Sequence, residues 1–532
     1  MSTNGSDYRY YITTSIPYVN AVPHIGHALE FVQTDTFARY HRLVGNDTRF
    51  LTGTDENSLT NVLAAEREGM PVAELVERNA AAFLRLTDLL DVSNDDFIRT
   101  AAEERHLAGC RKLWEACDRN GDIYRRHYRG LYCVRCEQFY TEEELDDGLC
   151  PEHHIPVEVV EEENYFFRLS RYGDRLAQLI DSGALRIIPE TRRNEVRSFI
   201  ARGLEDFSIS RSRSRARGWG IPVPGDPDQV MYVWFDALAN YITAPGYATD
   251  ADLYRRFWLE NPRRVHVIGK GILRFHAVYW PAMLLSAGLP LPTTVFVHGY
   301  LTIAGEKMSK SLGNVVDPAE LVARYGTEPV RYWLLREVPP TGDADYTDEK
   351  LERRYNADLA NDLGNLLNRT VTMIRRYRDG AVPAPAAPDA VDQDLELVAS
   401  SLAGRLAAAV GQDYDPQSAL AAVWELVVRA NRYVEETAPW ALARGERSGD
   451  HAAAGRLDGA LYHLAESLRL IAQALRPFLP GTADRIAAQL GVVLVETPWT
   501  EALGWGVLAP GTQVGEPQPI FPKLDVPTPH SA

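Results

Sequence analysis

A chain of 532 residues with 45% hydrophobic and 24% charged residues has the makeup of a globular protein of roughly two to four domains, which excludes wholesale disorder. A formal net charge of -17 excludes indiscriminate binding to nucleic acid, so any RNA partner has to meet a local basic track. Five cysteines do not make a disulfide scaffold, the N-terminus shows no secretory pattern, and the longest apolar stretch, "AVYWPAMLLSAGLPL" (277–291), is broken by prolines and too short to span a bilayer; a cytoplasmic protein without membrane contact is expected.

In chain order, "YRYYITTSIPY" (8–18) is a β-rich run closed by a proline turn. "HIGHALEFVQTDTFARYHRLVG" (24–45) then sets Ile25, Leu29, Val32 and Phe37 at near-helical spacing before Gly45. "NDTRFLTGTDENS" (46–58) predicts a second strand, so the chain opens as strand, helix, strand, the start of a parallel α/β sheet. A strand feeding a helix N-terminus favours anions, because the first helical N–H groups lack partners and the dipole is positive there. His24 and His27 stand at that end as donors for phosphate oxygens, and Gly26 lets a flat ring lie against the backbone. A His-x-x-His pair alone is more often two incidental surface histidines.

Cys110 and Cys117, on one predicted helix, read as core residues. From about 126 to 185 a Tyr-rich, Cys-containing segment interrupts the α/β pattern and predicts an insertion that splits it. There Cys133 and Cys136 form one knuckle, and Cys150 with His153 a second pair on the same spacing. Three thiolates and an imidazole close a tetrahedral, structural zinc shell, with His154 the rival fourth ligand. "ISRSRSRARGWG" (209–220) places Arg211, Arg213, Arg215 and Arg217 on alternate residues, as suited to a phosphate-tracking arm as to a solvated turn. Strand patterns resume at "RVHVIGKG" (264–271) and "TTVFVHGYLTI" (293–303).

"AGEKMSKSLGN" (304–314) follows as a Gly-flanked loop, in which Lys307, Lys310, Ser309 and Ser311 suit closure on the β and γ phosphates of a triphosphate. No Walker-type or dinucleotide-type glycine run competes with it. After Asp348 the character turns helical: Leu359, Leu363, Leu366, Leu367, Met373, Ile374 and Tyr377 recur at helical steps, and further helices are predicted over 394–410, 417–437 and 456–476. "GAVPAPAAPDAVD" (380–392) reads as a connector, and the Pro- and Gly-rich tail after Pro510 is expected to run over the surface.

His-Ile-Gly-His and Lys-Met-Ser-Lys-Ser, in this order and roughly 280 residues apart, make the chain resemble the class I aminoacyl-tRNA synthetases. "SIPYVNAVPHIGH", "FLTGTDE", "YCVRC", "EEENYFFRLS", "WGIPVPGDP", "YVWFDALANYI", "FHAVYWPAML", "FVHGYLTIAGEKMSKSLGN" and "NRYVEETAPWALA" make it similar to the methionyl-tRNA synthetases in particular, from about residue 8 to 500. The single pair of knuckles resembles their one-zinc subtype. The resemblance implies a Rossmann-like parallel-sheet catalytic domain split by a zinc-binding insertion and followed by an all-α anticodon-binding bundle. The expected divisions are 1–125 and 186–298 for the catalytic halves, 126–185 for the insertion, 299–355 for the KMSKS-loop region and 356–532 for the helical domain with its tail.

By resemblance, methionine is activated with ATP and Mg2+ and passed to tRNA(Met). His24, His27, Lys307 and Lys310 serve the chemistry, and Gly26, Gly269 and Gly271 join His24, His27 and Lys310 around ATP. The amino-acid pocket falls on Ile16, Tyr18, Asp55, Trp234, Ala237, Leu238, Tyr241, Ile272, Phe275 and His276, where aromatic side chains suit a thioether and Asp55 an ammonium. The anticodon positions fall on Asn365, Arg369, Pro439 and Trp440, the last offering a face on which an unstacked base can lie. A monomer is expected, since the C-terminal RNA-binding module with which some relatives dimerise is not seen.

Two positions depart from the family: Asn57-Ser58 stand where His-Gly is usual, and Gly271 where an Asp faces the adenosine ribose. With Gly there, the ribose side is expected to lack an acceptor that an Asp would restore. The departures keep open a synthetase paralogue, serving inhibitor resistance or another use of the adenylate, and a tRNA-binding protein without activation.

Overall fold

The computed structural model describes residues 8–152, 154–308, 314–495 and 498–525. The chain forms two compact units. One takes the segment up to Thr34, Asp47–Tyr300 and Val316–Pro318; the other takes Asp35–Asn46, Leu301–Val315 and everything from Ala319.

The first unit is built on six parallel strands in the order Asp96–Arg99, Asp47–Thr54, Arg9–Thr14, Arg264–Gly269, Thr294–His298, Arg186–Ile188. The central strands are buried almost end to end, as β-branched and apolar runs are when helices cover both faces of a parallel sheet. Strand order reverses between Arg9–Thr14 and Arg264–Gly269, and a sheet of this kind leaves a crevice at the carboxyl ends of the strands flanking such a switch. Ile16, Tyr18 and His24 follow the first of these strands, Asp55 follows its neighbour, and Gly269 ends the other.

The insertion is an antiparallel sheet of Gln138–Tyr140, Ile123–Cys133, Glu158–Phe167 and Phe207–Ser208, accompanied by the three strands Pro222–Val223, Asp226–Met231 and Ser210–Ser212. Here the arginine stretch divides: residues 213–218 form a turn on which Arg213 and Arg217 are exposed, whereas Arg211 and Arg215 pack inward. Arg211 is buried, 4.2 Å above the Tyr232 ring and 4.9 Å from that of Phe139, and donates to the Ser208 hydroxyl. Arg215 lies over Tyr132 and faces Glu162, while Arg217 pairs with Glu66. Local alternation could not show this, because the rings come from distant strands.

The second unit holds a small sheet (Glu306–Lys307, Leu301–Ile303, Ala344–Asp345) and a bundle that includes Asn365–Arg378, Ala390–Ala409, Pro416–Thr437, Pro439–Arg447, His451–Leu475 and Pro480–Leu490. Aspartates cap three of these helices: Asp389, Asp415 and Asp450 each accept first-turn N–H groups. The tail does not merely run over the surface. Val514, Ile520 and Phe521 are buried, Val514 donates its N–H to Gly380, and Phe521 meets the Tyr355 ring edge-on. Among the described residues no helix is long and apolar enough to cross a membrane.

Candidate active site

His24 and His27 open the helix Ile25–Leu43. Their rings stack at 3.9 Å, and His27 meets Phe83 edge-on. The first-turn amides expected to meet an anion are already engaged: Ile25 N–H donates to Val316, Gly26 N–H to His24 Nδ1, and His27 N–H to the His24 carbonyl. His24 N–H in turn donates to His27 Nδ1 at 3.1 Å. Each Nδ1 therefore accepts, which leaves a neutral ring with its hydrogen on Nε2. Burial, and then the adjacent His24, push His27 well below the usual imidazole pKa, so that ring is neutral at neutral pH. At this helix end the first-turn amides are engaged, and each imidazole carries its hydrogen on Nε2.

The residues expected to form the amino-acid pocket come together in the same unit. The helix Val233–Thr243 sets Trp234, Ala237, Leu238 and Tyr241 at i, i+3, i+4 and i+7, which is one face. All four are buried, and Ile16, Tyr18 and Ile272 pack against the same cluster. Trp234 lies flat on Phe275, ring centroids 3.8 Å apart, with Tyr18 edge-on to it. His276 donates from Nδ1 to the Ile272 carbonyl and accepts the Tyr241 hydroxyl at Nε2, 2.7 Å away. Burial lowers its pKa to about 4, so this neutral arrangement holds through the physiological range.

Asp55 is almost fully buried beside Tyr18, bridged to it through the backbone. Its Oδ1 and the Tyr18 hydroxyl are buried and find no hydrogen-bond partner among the described residues. Burial first, then the nearby Asp236 and Glu137, hold the Asp55 carboxyl well above the usual carboxylate range. Orphaned acceptors of this kind are costly unless a ligand donor completes them, and an ammonium group is the donor that offsets most.

Sequence reasoning missed the residues that hold the loop after the first strand. Glu30 takes both the Ser15 N–H and hydroxyl on one oxygen and faces His298 Nε2 at 2.8 Å with the other. Its signal was a carboxylate on the apolar face of the first helix, one turn beyond His27. Gly271 and Gly269 do not face open space either. A Cβ on Gly271 would run into the Tyr300 hydroxyl, with a Glu152 carboxylate oxygen 3.6 Å away, and a Cβ on Gly269 would touch the His298 and Tyr300 rings at 3.5 Å. An Asp at 271 would thus require the Tyr300 side chain to shift.

Cys133, Cys136 and Cys150 bring their sulfurs within 4.8 Å of one another, Cys136 and Cys150 at 3.7 Å. Zinc–sulfur bonds of about 2.3 Å in a tetrahedron set sulfurs about 3.8 Å apart, so the three thiols fit a metal ion. His153 lies outside the described residues. The rival His154 does not join the cluster: it is exposed and faces Asp146.

In the second unit, Asn365, Arg369 and Trp440 line one cavity of about 300 Å³ with Asn368, Thr372, Met373 and Tyr377. Arg369 lies 5.8 Å from the Trp440 ring and pairs with Glu435, and Pro439 begins the helix that presents Trp440. Trp440 is only half-buried, which leaves part of its face accessible. Lys310 and Ser309 lie outside the described residues. The hairpin leading to them turns at Ala304 and Gly305, both at positive φ, and Asp345 anchors it by accepting from Gly305 N–H and the Thr302 hydroxyl.

The family profile described as "tRNA synthetases class I (M)" matches residues 10–158 and 153–371, and that of the "Anticodon binding domain of methionyl tRNA ligase" matches 384–527. The methionine–tRNA ligase of Brucella suis is 47% identical over 519 residues, covering 97% of this chain and 98% of its own length. That of Caldanaerobacter subterraneus is also 47% identical, over 97% of this chain and 79% of its own length. The structure of Mycobacterium tuberculosis methionyl-tRNA synthetase in complex with methionyl-adenylate superposes with a TM-score of 0.91 at 44% identity, covering 97% of this chain and 99% of that one.

Proposed function

The chain belongs to the methionyl-tRNA synthetases of class I, and from that premise we propose how its residues carry the reaction. It activates L-methionine with ATP to methionyl-adenylate and transfers the methionyl group to the 3' end of tRNA(Met). In our reading the thioether lies among Trp234, Tyr18, Tyr241 and Phe275, over Ile16, Ala237, Leu238, Ile272 and His276. Its ammonium completes Asp55 Oδ1 and the Tyr18 hydroxyl. The methionine carboxylate then attacks the α-phosphorus, the bond to the bridging oxygen breaks, and pyrophosphate leaves. His24 and His27, through Nε2–H, with Lys307 and Lys310 meet the charge that develops on phosphate oxygens, while Gly26 lets the nucleotide lie close to the backbone and Gly269 and Gly271 line the ATP site. Mg2+ accompanies the triphosphate. No side chain has to act as a nucleophile; positioning and charge stabilisation suffice.

The observation that carries this reading is the pair of buried, uncompleted acceptors at Tyr18 and Asp55 beside an aromatic pocket. A tRNA-binding protein without activation would bear their cost for nothing. The reading takes the protein as a cytoplasmic monomer, each chain holding its own pocket, phosphate and anticodon residues.

We assign zinc to Cys133, Cys136, Cys150 and His153, where it supplies structural closure of the knuckle. Purified protein should hold zinc in a one-to-one ratio by elemental analysis, and Cys150→Ser should lose it, because the remaining ligands hold structural zinc poorly. Zinc retained at full occupancy in that variant would remove Cys150 from the shell.

Asn365, Arg369, Pro439 and Trp440 we assign to the anticodon. Trp440→Ala should raise the KM for tRNA(Met) in aminoacylation by about tenfold, the scale of one lost base stack of about 1–3 kcal/mol. Methionine-dependent ATP–pyrophosphate exchange should stay within about twofold. Equal loss of both activities would make Trp440 a structural residue.

A further inference from the structure

Glu137, the residue after Cys136 of the thiol cluster, is buried and sits at φ 51°, a left-handed conformation that residues other than glycine seldom adopt. One carboxylate oxygen accepts the Ser58 hydroxyl at 2.6 Å and the Thr60 N–H at 3.1 Å. It thereby closes the N-terminus of the helix Leu59–Glu68, of which Ser58 is the cap. This end lies three residues beyond Asp55. The backbone of the same dipeptide holds the opposite wall: the Glu137 carbonyl accepts the Tyr232 hydroxyl, and the Cys136 carbonyl accepts the Trp234 indole N–H at 3.5 Å. Tyr232 caps the helix that carries Trp234, Ala237, Leu238 and Tyr241.

One dipeptide at the edge of the thiol cluster is thus tied to both walls of the amino-acid pocket. We propose that Glu137 is a positioning residue for methionine: it fixes the thiol-bearing loop against the segment following Asp55 and against the Trp234 helix, so that the cluster sets the width of the pocket. Ser58, at one of the two positions where this chain departs from its family, is the partner through which the carboxylate acts. The proposal rests on reading this site as the methionine pocket. It requires no direct contact between Glu137 and substrate.

The test is steady-state ATP–pyrophosphate exchange with methionine and ATP varied separately, on the full-length, metal-loaded protein. Glu137→Ala should raise the methionine KM by about tenfold while the ATP KM and kcat stay within about twofold. Glu137→Gln keeps one oxygen acceptor of the same reach and should recover to within about threefold of the parent. Ser58→Ala should raise the methionine KM by about threefold, and adding it to Glu137→Ala should cost little more, since the two residues share one interaction. Metal content should be unchanged throughout. A Glu137→Ala protein with normal metal and an unchanged methionine KM would overturn the proposal, as would parallel rises in both KM values or loss of metal. Should Glu137→Ala not fold, an unchanged methionine KM in Ser58→Ala would overturn it equally. Parent protein that gives no methionine-dependent exchange would instead remove the functional reading beneath it.

Discussion

Asp55→Asn should lower kcat/KM for methionine by at least about a hundredfold, with the ATP KM nearly unchanged, in pyrophosphate exchange. The Oδ1 of Asp55 and the Tyr18 hydroxyl are buried without a partner among the described residues, and in the proposed reading the substrate ammonium completes both. Removing one member of a desolvated charge pair costs about 3–5 kcal/mol, and each 1.4 kcal/mol is about tenfold. Asparagine keeps the shape but loses the charge, and its NH2 would face another donor. A pH signature accompanies the loss. Because burial and the neighbouring Asp236 hold the Asp55 carboxyl above the usual range, it takes up a proton at a higher pH than an ordinary aspartate, and the neutral form cannot pair with an ammonium. The methionine KM of the parent should therefore rise as pH falls towards that raised pKa, and this rise should vanish in Asp55→Asn. A change below about threefold in kcat/KM would place the ammonium elsewhere.

Lys310→Ala should show the opposite kinetic signature: a fall of at least about a hundredfold in the rate of exchange with little change in methionine KM. A charge donor that acts as pyrophosphate departs contributes on that scale, and mainly to the transition state. Asp345 holds the hairpin that precedes the Lys-Met-Ser-Lys-Ser loop, accepting from Gly305 N–H at its turn and from the Thr302 hydroxyl, and neither contact involves Lys310. Lys310→Arg keeps the charge but changes its shape and should recover only part of the rate. Full activity in Lys310→Ala would detach this loop from the chemistry. Together the two variants separate amino-acid binding from charge stabilisation.

Much of this site is legible in the sequence because its parts are local patterns. The strand–helix–strand opening, the paired histidines, the paired thiols and the i, i+3, i+4, i+7 face of Val233–Thr243 are all spacings within a few residues. What escapes is whatever depends on partners far along the chain. Glu137 looks like any residue in a charged hairpin, since Ser58 and Tyr232, to which it is tied, lie 79 and 95 residues away. Arg211 belongs to an even-spaced arginine run, and only the arrival of Phe139 and Tyr232 turns it into a buried cation among rings. The space at Gly271 reads as a gap until Tyr300, from the next strand's exit, fills it. At the histidine pair the spacing shows the two rings but not the contacts that fix them: the first-turn amides are engaged, and each Nδ1 accepts a backbone N–H.

The central claim is that one pocket accepts methionine and couples it to ATP cleavage. Pyrophosphate exchange measured with each of the standard amino acids in turn, at saturating ATP and Mg2+, tests it most directly. The account predicts exchange with methionine that exceeds every other amino acid by at least about a hundredfold in kcat/KM, since few other side chains are both unbranched and apolar enough to lie among Trp234, Tyr18 and Phe275. Exchange driven equally well by another amino acid, or none with methionine from folded, zinc-bearing protein, would contradict it.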